Sequence, residues 1–253
     1  MKARELLKVV KTFVGSDPLL PKYQHILFYD DKVFASDCSK MILCDIPEQL
    51  KELKNKKATL IKGNSLHFKL DDNDIQKPYV TMLNDVRDNH CWITGKDENM
   101  DAYEKRLDCI SKMLPLLRMS FKFYYEITKG EPLMVEFGIS TYEYNNIRTV
   151  IRAANKLGVT DRVEINYGHT MLYMHKDDDK GKPNTEIFLA PMKGAFYGKY
   201  SLDNNMFYDK DGYAIEDMKE YLDDGIVGQD ILKKKLAKST IDDAYKALEQ
   251  LNL

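Results

Sequence analysis

Apolar residues near the start of the chain recur at the spacing of an amphipathic helix. Leu6, Leu7 and Val10 would lie on one side of a helix that spans residues 2–14. The segment Gly15-Ser16-Asp17-Pro18 is expected to end this helix, because glycine and proline do not continue it. Short apolar runs bounded by turn-forming residues then predict three strands: residues 25–29, 33–35 and 41–45.

The same kinds of element continue along the chain and then recur. A second helix is predicted from Pro47, a favoured first-turn residue, to about residue 56. The strands expected after it are residues 58–62, 66–70 and 79–83. A second set of elements begins with a strand at 91–94 and a helix at 101–117. A further helix at 142–157 is expected to end at Gly158. The remaining predicted strands of this set are residues 121–127, 133–139, 163–167, 170–175 and 186–190.

Both sets run helix, strands, helix, strands. Their helices begin about 45 and about 42 residues apart, although the two sets share little sequence. We therefore predict an α+β fold with antiparallel sheets, in which residues 1–88 and 89–195 form two repeated domains. Residues 196–253 fit neither set and are predicted to form a partly helical C-terminal extension, with helices at 215–222 and 231–251.

The composition indicates a globular protein of a reducing compartment. Hydrophobic residues make up 43% of the chain, which is enough for a packed core. No apolar run reaches the ~18 residues of a membrane-spanning helix, and the first residues lack the apolar block of a signal peptide. The four cysteines form no CxxC pair. We expect a cytoplasmic protein that does not contact a membrane.

Basic residues are concentrated on the predicted helices of the two sets. Sixteen Lys and Arg face six Asp and Glu within four windows: residues 2–11, 48–57, 102–122 and 143–156. These windows carry a net charge of +10 in a chain of net charge −2, so the other residues carry −12. Residues 209–253 carry −4, which shows that not every predicted helix is basic.

Such a separation of charge is typical of a protein whose helical surface binds a polyanion. Lys and Arg that meet phosphates release counterions, which gives binding that is independent of base sequence and sensitive to salt. Lysine is also a good helix former, and an exposed helix is often basic for that reason alone. The recurrence in all four windows favours a binding surface, and nucleic acid is the ligand that we favour.

The opening segment resembles the subunits of bacterial DNA sliding clamps. These subunits begin with a helix that carries a Leu-Leu pair, a leucine–proline turn, a strand and a hairpin. The matching residues here are Arg4-Glu5-Leu6-Leu7-Lys8-Val9-Val10, Leu20-Pro21, His25–Phe28 and Lys32-Val33-Phe34-Ala35-Ser36-Asp37. Lys77-Pro78-Tyr79-Val80 lies where clamps have a proline-aromatic connector, and Glu186–Met192 resembles a final clamp strand. The resemblance covers residues 1–192 as a pattern and residues 4–46 at the level of sequence.

The resemblance implies two clamp-like domains whose basic helices line the hole of a ring. It also implies a non-enzymatic processivity factor without a cofactor, which encircles duplex DNA and has a DNA polymerase and a clamp loader as partners. Bacterial subunits have three domains and dimerise, whereas clamps of two domains trimerise. We therefore expect a homo-oligomer, a trimer or a dimer. The added C-terminal extension would suit a phage or a mobile element.

Eight residues of the predicted helices are our candidates for contact with DNA. Each is basic and lies in one of the four windows described above. They are Lys8, Lys11, Lys51, Lys54, Lys105, Lys112, Arg148 and Arg152.

Motifs for other chemistry are weak. No phosphate-binding glycine loop and no paired Cys/His zinc pattern occurs. The acidic segment Asp209–Gly212 does not fit an EF-hand, because the first and last ligand places would fall on Phe207 and Met218. His169 and His175 could share a strand face, but a structural role is favoured, and we predict no bound metal.

Two other functions stay open. One is a metal-dependent enzyme of nucleic-acid metabolism that uses the acidic segment Asp177–Asp179. The other is a monomeric α+β module for protein interaction. The terminus Gln250-Leu251-Asn252-Leu253 resembles the short peptide by which partners dock on bacterial clamps, although the apolar positions of a last helix explain it better.

Overall fold

The structure is a computed structural model, and it describes residues 2–60, 68–74, 92–96, 100–119, 132–166, 170–192, 198–209 and 211–215. These residues fall into two compact units. The first contains residues 1–100 and 145–192, and the second contains residues 101–144 and 193–253. The α+β class and the antiparallel sheets predicted from the sequence are confirmed.

Helix α1 spans Ala3–Val10 and continues as a 3₁₀ turn at Lys11–Phe13. Leu6, Val9 and Val10 are buried on one side, as the apolar spacing predicts. After the turn, the backbone amide of Gly15 donates to the carbonyl of Tyr23. The predicted helix over residues 2–14 is therefore confirmed, with a tighter last turn.

The first unit is built on one antiparallel sheet of nine strands. Along the chain, the strands are β1 (His25–Tyr29), β2 (Lys32–Ser36), β3 (Lys40–Asp45), β4 (Lys56–Leu60), β5 (Phe68–Asp72), β6 (Trp92–Lys96), β9 (Asp161–Asn166), β10 (Thr170–Asp177) and β11 (Pro183–Leu189). Their order in the sheet is β5-β4-β1-β2-β3-β11-β10-β9-β6. Strand β3 pairs with β11 in a register that sets Ile42 opposite Ile187, so the two predicted sets of elements share one sheet.

Helix α3, at Tyr144–Leu157, lies beside α1 and is bonded to the sheet through Lys40 of β3 and Lys176 of β10. Side chains along β3 alternate between the two faces of the sheet, so Lys40 and Ile42 lie on one face. The Lys40 Nζ donates a hydrogen bond to the side chain of Asn146 in α3 at 3.0 Å. The predicted helix began at residue 142, but Tyr142 belongs to a strand and is fully buried. The predicted stop at Gly158 is confirmed, since this residue has a φ of +63°.

The second helix predicted from Pro47 to about residue 56 is wrong as an α-helix. Glu48–Leu53 form a 3₁₀ helix, and none of its residues is buried. An amphipathic α-helix gains most of its stability by packing an apolar face, and this short segment has no such face. Asn55, with a φ of +61°, then turns the chain into β4.

The second unit contains helix α2 and a sheet of four strands. Helix α2 spans Met100–Met119, so the helix predicted at 101–117 is confirmed and continues through Pro115. The sheet has the order β13-β12-β7-β8, with strands at Met134–Phe137 (β7), Ser140–Glu143 (β8), Lys199–Ser201 (β12) and Met206–Tyr208 (β13). The ring of Tyr103 on α2 meets that of Phe137 edge to face, with centroids 5.1 Å apart.

Residues 196–253, predicted as a partly helical C-terminal extension, contain two short strands, β12 and β13, that the sequence did not predict. Lys199–Ser201 pair in parallel with β7, which is a strand of the second predicted set. Tyr200 and Phe207 are fully buried in this unit. The short strands lie in a stretch rich in Tyr, Gly and Asn, whose turn-forming composition hid them.

Several predictions fall outside the described residues. They concern the turn at 63–64, the strands at 79–83 and 121–127, His169, the C-terminal helices beyond residue 215 and the terminus Gln250–Leu253. The predicted domain boundaries at 88/89 and 195/196 also fall there, and the division into repeats stays a prediction. Among the described residues, no helix combines the length and apolar character needed to cross a membrane.

Candidate nucleic-acid interface

Helices α1 and α3 of the first unit border a shallow groove with a volume of about 240 Å³. Four basic side chains line it: Lys8, Arg148, Arg152 and Lys156. The other lining residues are small or polar, namely Val9, Thr12, Asn145, Thr149 and Ala153. The groove thus brings together cations from two segments that are far apart in the chain.

The helical period explains why these side chains share one surface. Arg148, Arg152 and Lys156 lie four residues apart on α3, so they form one row along the helix. The opposite side of α3 is apolar, and Ile147 and Ile151 are fully buried. Packing of that side on the sheet therefore directs the basic row away from the core.

The surface formed by α1 and α3 is strongly basic. We call it the α1–α3 surface, and its basic residues are Lys2, Arg4, Lys8, Lys11, Arg148, Arg152 and Lys156. The two helices themselves carry one acidic residue, Glu5, since α3 has no Asp or Glu between Tyr144 and Leu157. A surface with seven positive charges and one negative charge attracts polyanions from a distance.

Glu5 lies within this positive field. Its Oε1 is 2.8 Å from the Nζ of Lys8, and both side chains are about half exposed. The hydrogen bond from Lys8 lowers the pKa of Glu5, and the charges of Lys8, Arg4 and Lys156 act in the same direction. Glu5 is therefore ionised at neutral pH.

Three of the eight candidates from the sequence, Lys8, Arg148 and Arg152, line the groove together. Lys11 lies in the 3₁₀ turn that continues α1 and is partly buried. Lys156 was missed as a candidate. Its place four residues after Arg152 was the signal that could have found it.

Lys51 and Lys54 lie in a different environment of the first unit. They line a hollow of about 880 Å³ between the 3₁₀ helix Glu48–Leu53 and the turns that follow β1 and β10. Lys51 Nζ is 2.6 Å from Glu48, whose hydrogen bond raises the pKa of the lysine. Lys54 Nζ is 3.4 Å from Asp31. Four lysines and four aspartates line this hollow, so its charge is balanced.

Lys105 and Lys112 belong to α2 of the second unit. Lys105 Nζ is 2.6 Å from Asp101, one helical turn earlier, and both side chains are exposed. The hydrogen bond that Lys105 donates to Asp101 raises the pKa of Lys105. Lys112 is exposed on the same helix. Neighbouring Arg106 instead donates to the carbonyl of Leu202 at 2.6 Å and ties α2 to the turn after β12.

In the acidic segments Asp177–Asp179 and Asp209–Gly212, a carboxylate accepts hydrogen bonds from backbone amides of its own turn. Asp178 accepts hydrogen bonds from the backbone amides of Lys180 and Lys182, both at 2.9 Å, and these bonds lower its pKa. Asp209 accepts from Asp211 and Tyr213 in the same way, at 2.9 Å each. Within the part of the chain that the structure describes, no three His, Cys, Asp or Glu residues come together as a metal site requires.

No family model matches this sequence, and no curated protein matches it either. In structure the chain is similar to the beta subunit of DNA polymerase III from Thermotoga maritima, with a TM-score of 0.41 and 8% identity over 75% of this chain and 62% of that one. It is similar to the H. pylori beta clamp in complex with diflunisal, with a TM-score of 0.41 and 10% identity over 76% and 64% of the two chains.

The beta subunit of the Streptococcus pyogenes polymerase is similar as well, with a TM-score of 0.38 and 6% identity over 76% of this chain and 62% of that one. The chain thus spans less than two thirds of the length of each of these proteins.

Proposed function

We propose that this protein is a DNA sliding clamp that holds a polymerase on duplex DNA. The observation that carries the proposal is the α1–α3 surface, which has seven basic residues from two distant segments and where four of them line one groove. On this proposal the protein performs no reaction and needs no cofactor. Its action is to encircle DNA as a homo-oligomeric ring, with a polymerase and a clamp loader as partners.

The chemistry of the groove suits phosphates better than bases. Arg148 and Arg152 carry guanidinium groups, which bind phosphate through two parallel hydrogen bonds. Lys8 and Lys156 supply compact charges on either side of the groove. Contacts of this kind position a duplex without reading its sequence, so the protein can move along the DNA while it stays bound.

The eight residues chosen from the sequence divide into two groups under this proposal. Lys8, Lys11, Arg148 and Arg152 contact phosphates from the α1–α3 surface, and we add Lys156 to them. Lys51, Lys54, Lys105 and Lys112 are secondary contacts. For three of these four, a phosphate would have to replace an ion pair with Glu48, Asp31 or Asp101, so each is expected to contribute less.

The test is a triple substitution on α3, Arg148→Ala with Arg152→Ala and Lys156→Ala. Binding to duplexes of unrelated sequence is measured over a series of salt concentrations by fluorescence anisotropy. We expect weaker binding to every duplex, and a salt dependence that falls by about one in log–log slope for each lost phosphate contact.

The matched control removes the same charge from exposed lysines elsewhere in the first unit, with Lys22→Ala, Lys69→Ala and Lys180→Ala. This variant should keep the affinity and the slope of the parent. Equal affinity in the parent and the α3 variant would refute the proposed surface. Metal-dependent cleavage of DNA by the parent would favour the alternative of an enzyme.

A further inference from the structure

Glu5 differs in charge from the basic residues around it on α1 and α3. It is the only acidic residue on the two helices, and it lies in the first turn of α1. Its partner Lys8 follows one turn later and lines the groove together with Arg148, Arg152 and Lys156. A phosphate that enters the groove at Lys8 therefore approaches the carboxylate of Glu5 as well.

The geometry gives Glu5 two effects on an incoming anion. The Oε1 of Glu5 lies 2.8 Å from the Nζ of Lys8, so a phosphate must share this ammonium group or replace the carboxylate. The negative charge of Glu5 also repels the phosphate at short range. Glu5 is ionised at neutral pH, and Lys8, Arg4 and Lys156 lower its pKa further, so both effects are present there.

We propose that Glu5 limits the affinity of the α1–α3 surface for phosphate chains by holding Lys8 in an intramolecular ion pair. The inference rests on the proposed function, because it assigns the residue that keeps this surface from binding DNA too tightly to slide. Exchange of Lys8 between Glu5 and successive phosphates replaces one ion pair by another of similar strength. Each step along the DNA then requires little net free energy.

The alternative role for Glu5 is to stabilise the folded protein without affecting anion binding. An acidic residue in the first turn of a helix stabilises that helix through the helix dipole. A residue with only this role would change the melting temperature on substitution and leave anion binding unchanged. The experiment must therefore measure stability and binding in the same variants.

The test compares Glu5→Gln with the parent in binding to a short mixed-sequence duplex and to inorganic tripolyphosphate, at low and at high salt. Glutamine keeps the size and the hydrogen-bonding capacity of the side chain but removes the charge. We expect Glu5→Gln to bind both probes about two- to fivefold more tightly at low salt, the range expected from one exposed ion pair. The gain should shrink at high salt.

The control is Asp72→Asn, which removes an exposed carboxylate 2.5 Å from the ammonium group of Lys56 on the nine-stranded sheet. This variant should bind both probes as the parent does. A second variant, Lys8→Gln, tests the route of the effect: Glu5→Gln should tighten binding less in the Lys8→Gln background, because the ion pair is already absent.

Each outcome bears on one of the two proposals. Unchanged affinity of Glu5→Gln for both probes overturns the role of Glu5, and DNA binding by the parent then still supports the proposed function. If the parent binds tripolyphosphate but no duplex, and Glu5→Gln tightens the former, the role of Glu5 stands and the sliding clamp does not. A parent that binds neither probe overturns both.

Discussion

Lys40 is a nearly buried cation that joins three parts of the first unit. Its ammonium group forms an ion pair with Asp37 in the β2–β3 turn and donates to the side chain of Asn146 in α3 at 3.0 Å. Its side chain is 9% exposed, so the charge depends on these partners in place of water. The same contacts set where α3 begins on the sheet.

We predict that Lys40→Met destabilises the protein by about 2 kcal/mol. Methionine keeps the length and the apolar stem, but it leaves the partly buried Asp37 without its counter-ion. The loss is smaller than for a fully buried pair, because Asp37 still accepts hydrogen bonds from the amides of Ser39 and Lys40. Urea denaturation measures the free energy of unfolding.

The double variant Asp37→Asn with Lys40→Met is the control. It should recover part of the loss, because no uncompensated charge remains. Stability of Lys40→Met equal to that of the parent would show that the ion pair contributes nothing.

His25, the first residue of β1, is a further residue whose environment has a measurable consequence. Its Nδ1 lies 2.9 Å from the hydroxyl of Thr59 on β4. Partial burial lowers the pKa of His25 below its usual value near 6.5, and the charge of Lys57 lowers it further, while Asp74 and Asp71 oppose the change.

We predict that His25 makes the protein less stable in mild acid. The folded-state pKa lies below the unfolded-state pKa, so between the two values the unfolded chain binds more protons. The stabilising contribution is complete above the unfolded-state pKa and is lost as the pH falls through the folded-state pKa. Thermal melting from about pH 8 to about pH 5 should therefore show a smaller decrease for His25→Gln than for the parent. Identical pH profiles would contradict the prediction.

At the scale of elements, the end of α3 shows how a local signal in the sequence is realised. The amide of Val159 donates to the carbonyl of Ala154, and the amide of Gly158 donates to that of Asn155. These two bonds form a Schellman motif, in which Gly158 adopts a φ of +63°. Val159, the residue after Gly158, is apolar and fully buried, as is common in this motif.

We predict that Gly158→Ala destabilises the protein by about 1 kcal/mol, because a Cβ is unfavourable at positive φ. Lack of space does not add to the loss, because the nearest atom to the new Cβ is the end of the flexible Lys176 side chain, at 3.4 Å. Gly158→Asn is the matched variant and should lose less, as asparagine tolerates this conformation better. Equal losses in the two variants, measured by denaturation, would argue against backbone strain as the cause.

At the scale of the whole molecule, the proposed clamp predicts an oligomer. Each chain has a mass of 29.4 kDa. Light scattering coupled to size exclusion should give three times this value, or twice, since a ring requires more than one chain of this size. Chemical cross-linking before dilution guards against rings that dissociate on the column. A monomer at every concentration, with and without cross-linking, would favour the alternative of an interaction module.

Many local elements of this protein follow from its sequence alone. Apolar runs between turn residues predicted β1 at residues 25–29, and the structure has the same bounds. Helix α1 followed from the spacing of Leu6 and Val10, and the end of α3 followed from Gly158. These features depend on neighbours within a few residues, so the sequence contains the information that decides them.

The sequence pattern did not predict the secondary structure of segments that lack a packed apolar face or are very short. The helix predicted after Pro47 is a short 3₁₀ segment, since its leucines find no core to cover. Strands β12 and β13 escaped prediction, because three residues carry too little periodicity to stand out from a loop. The pairing of β12 with β7 depends on residues more than sixty positions earlier in the chain, and β13 pairs with β12.

The sequence determined that α1 and α3 are rich in basic residues, because the helical period and the excess of Lys and Arg can be counted directly. Only the tertiary structure decided which of those residues share a surface. Lys8 and Arg148 meet across one groove because α1 and α3 lie beside each other in a unit whose sheet takes strands from both halves of the chain. Lys51 and Lys54, equally basic in sequence, instead lie among aspartates of neighbouring turns. Long-range strand pairing makes that difference, and no local pattern encodes it.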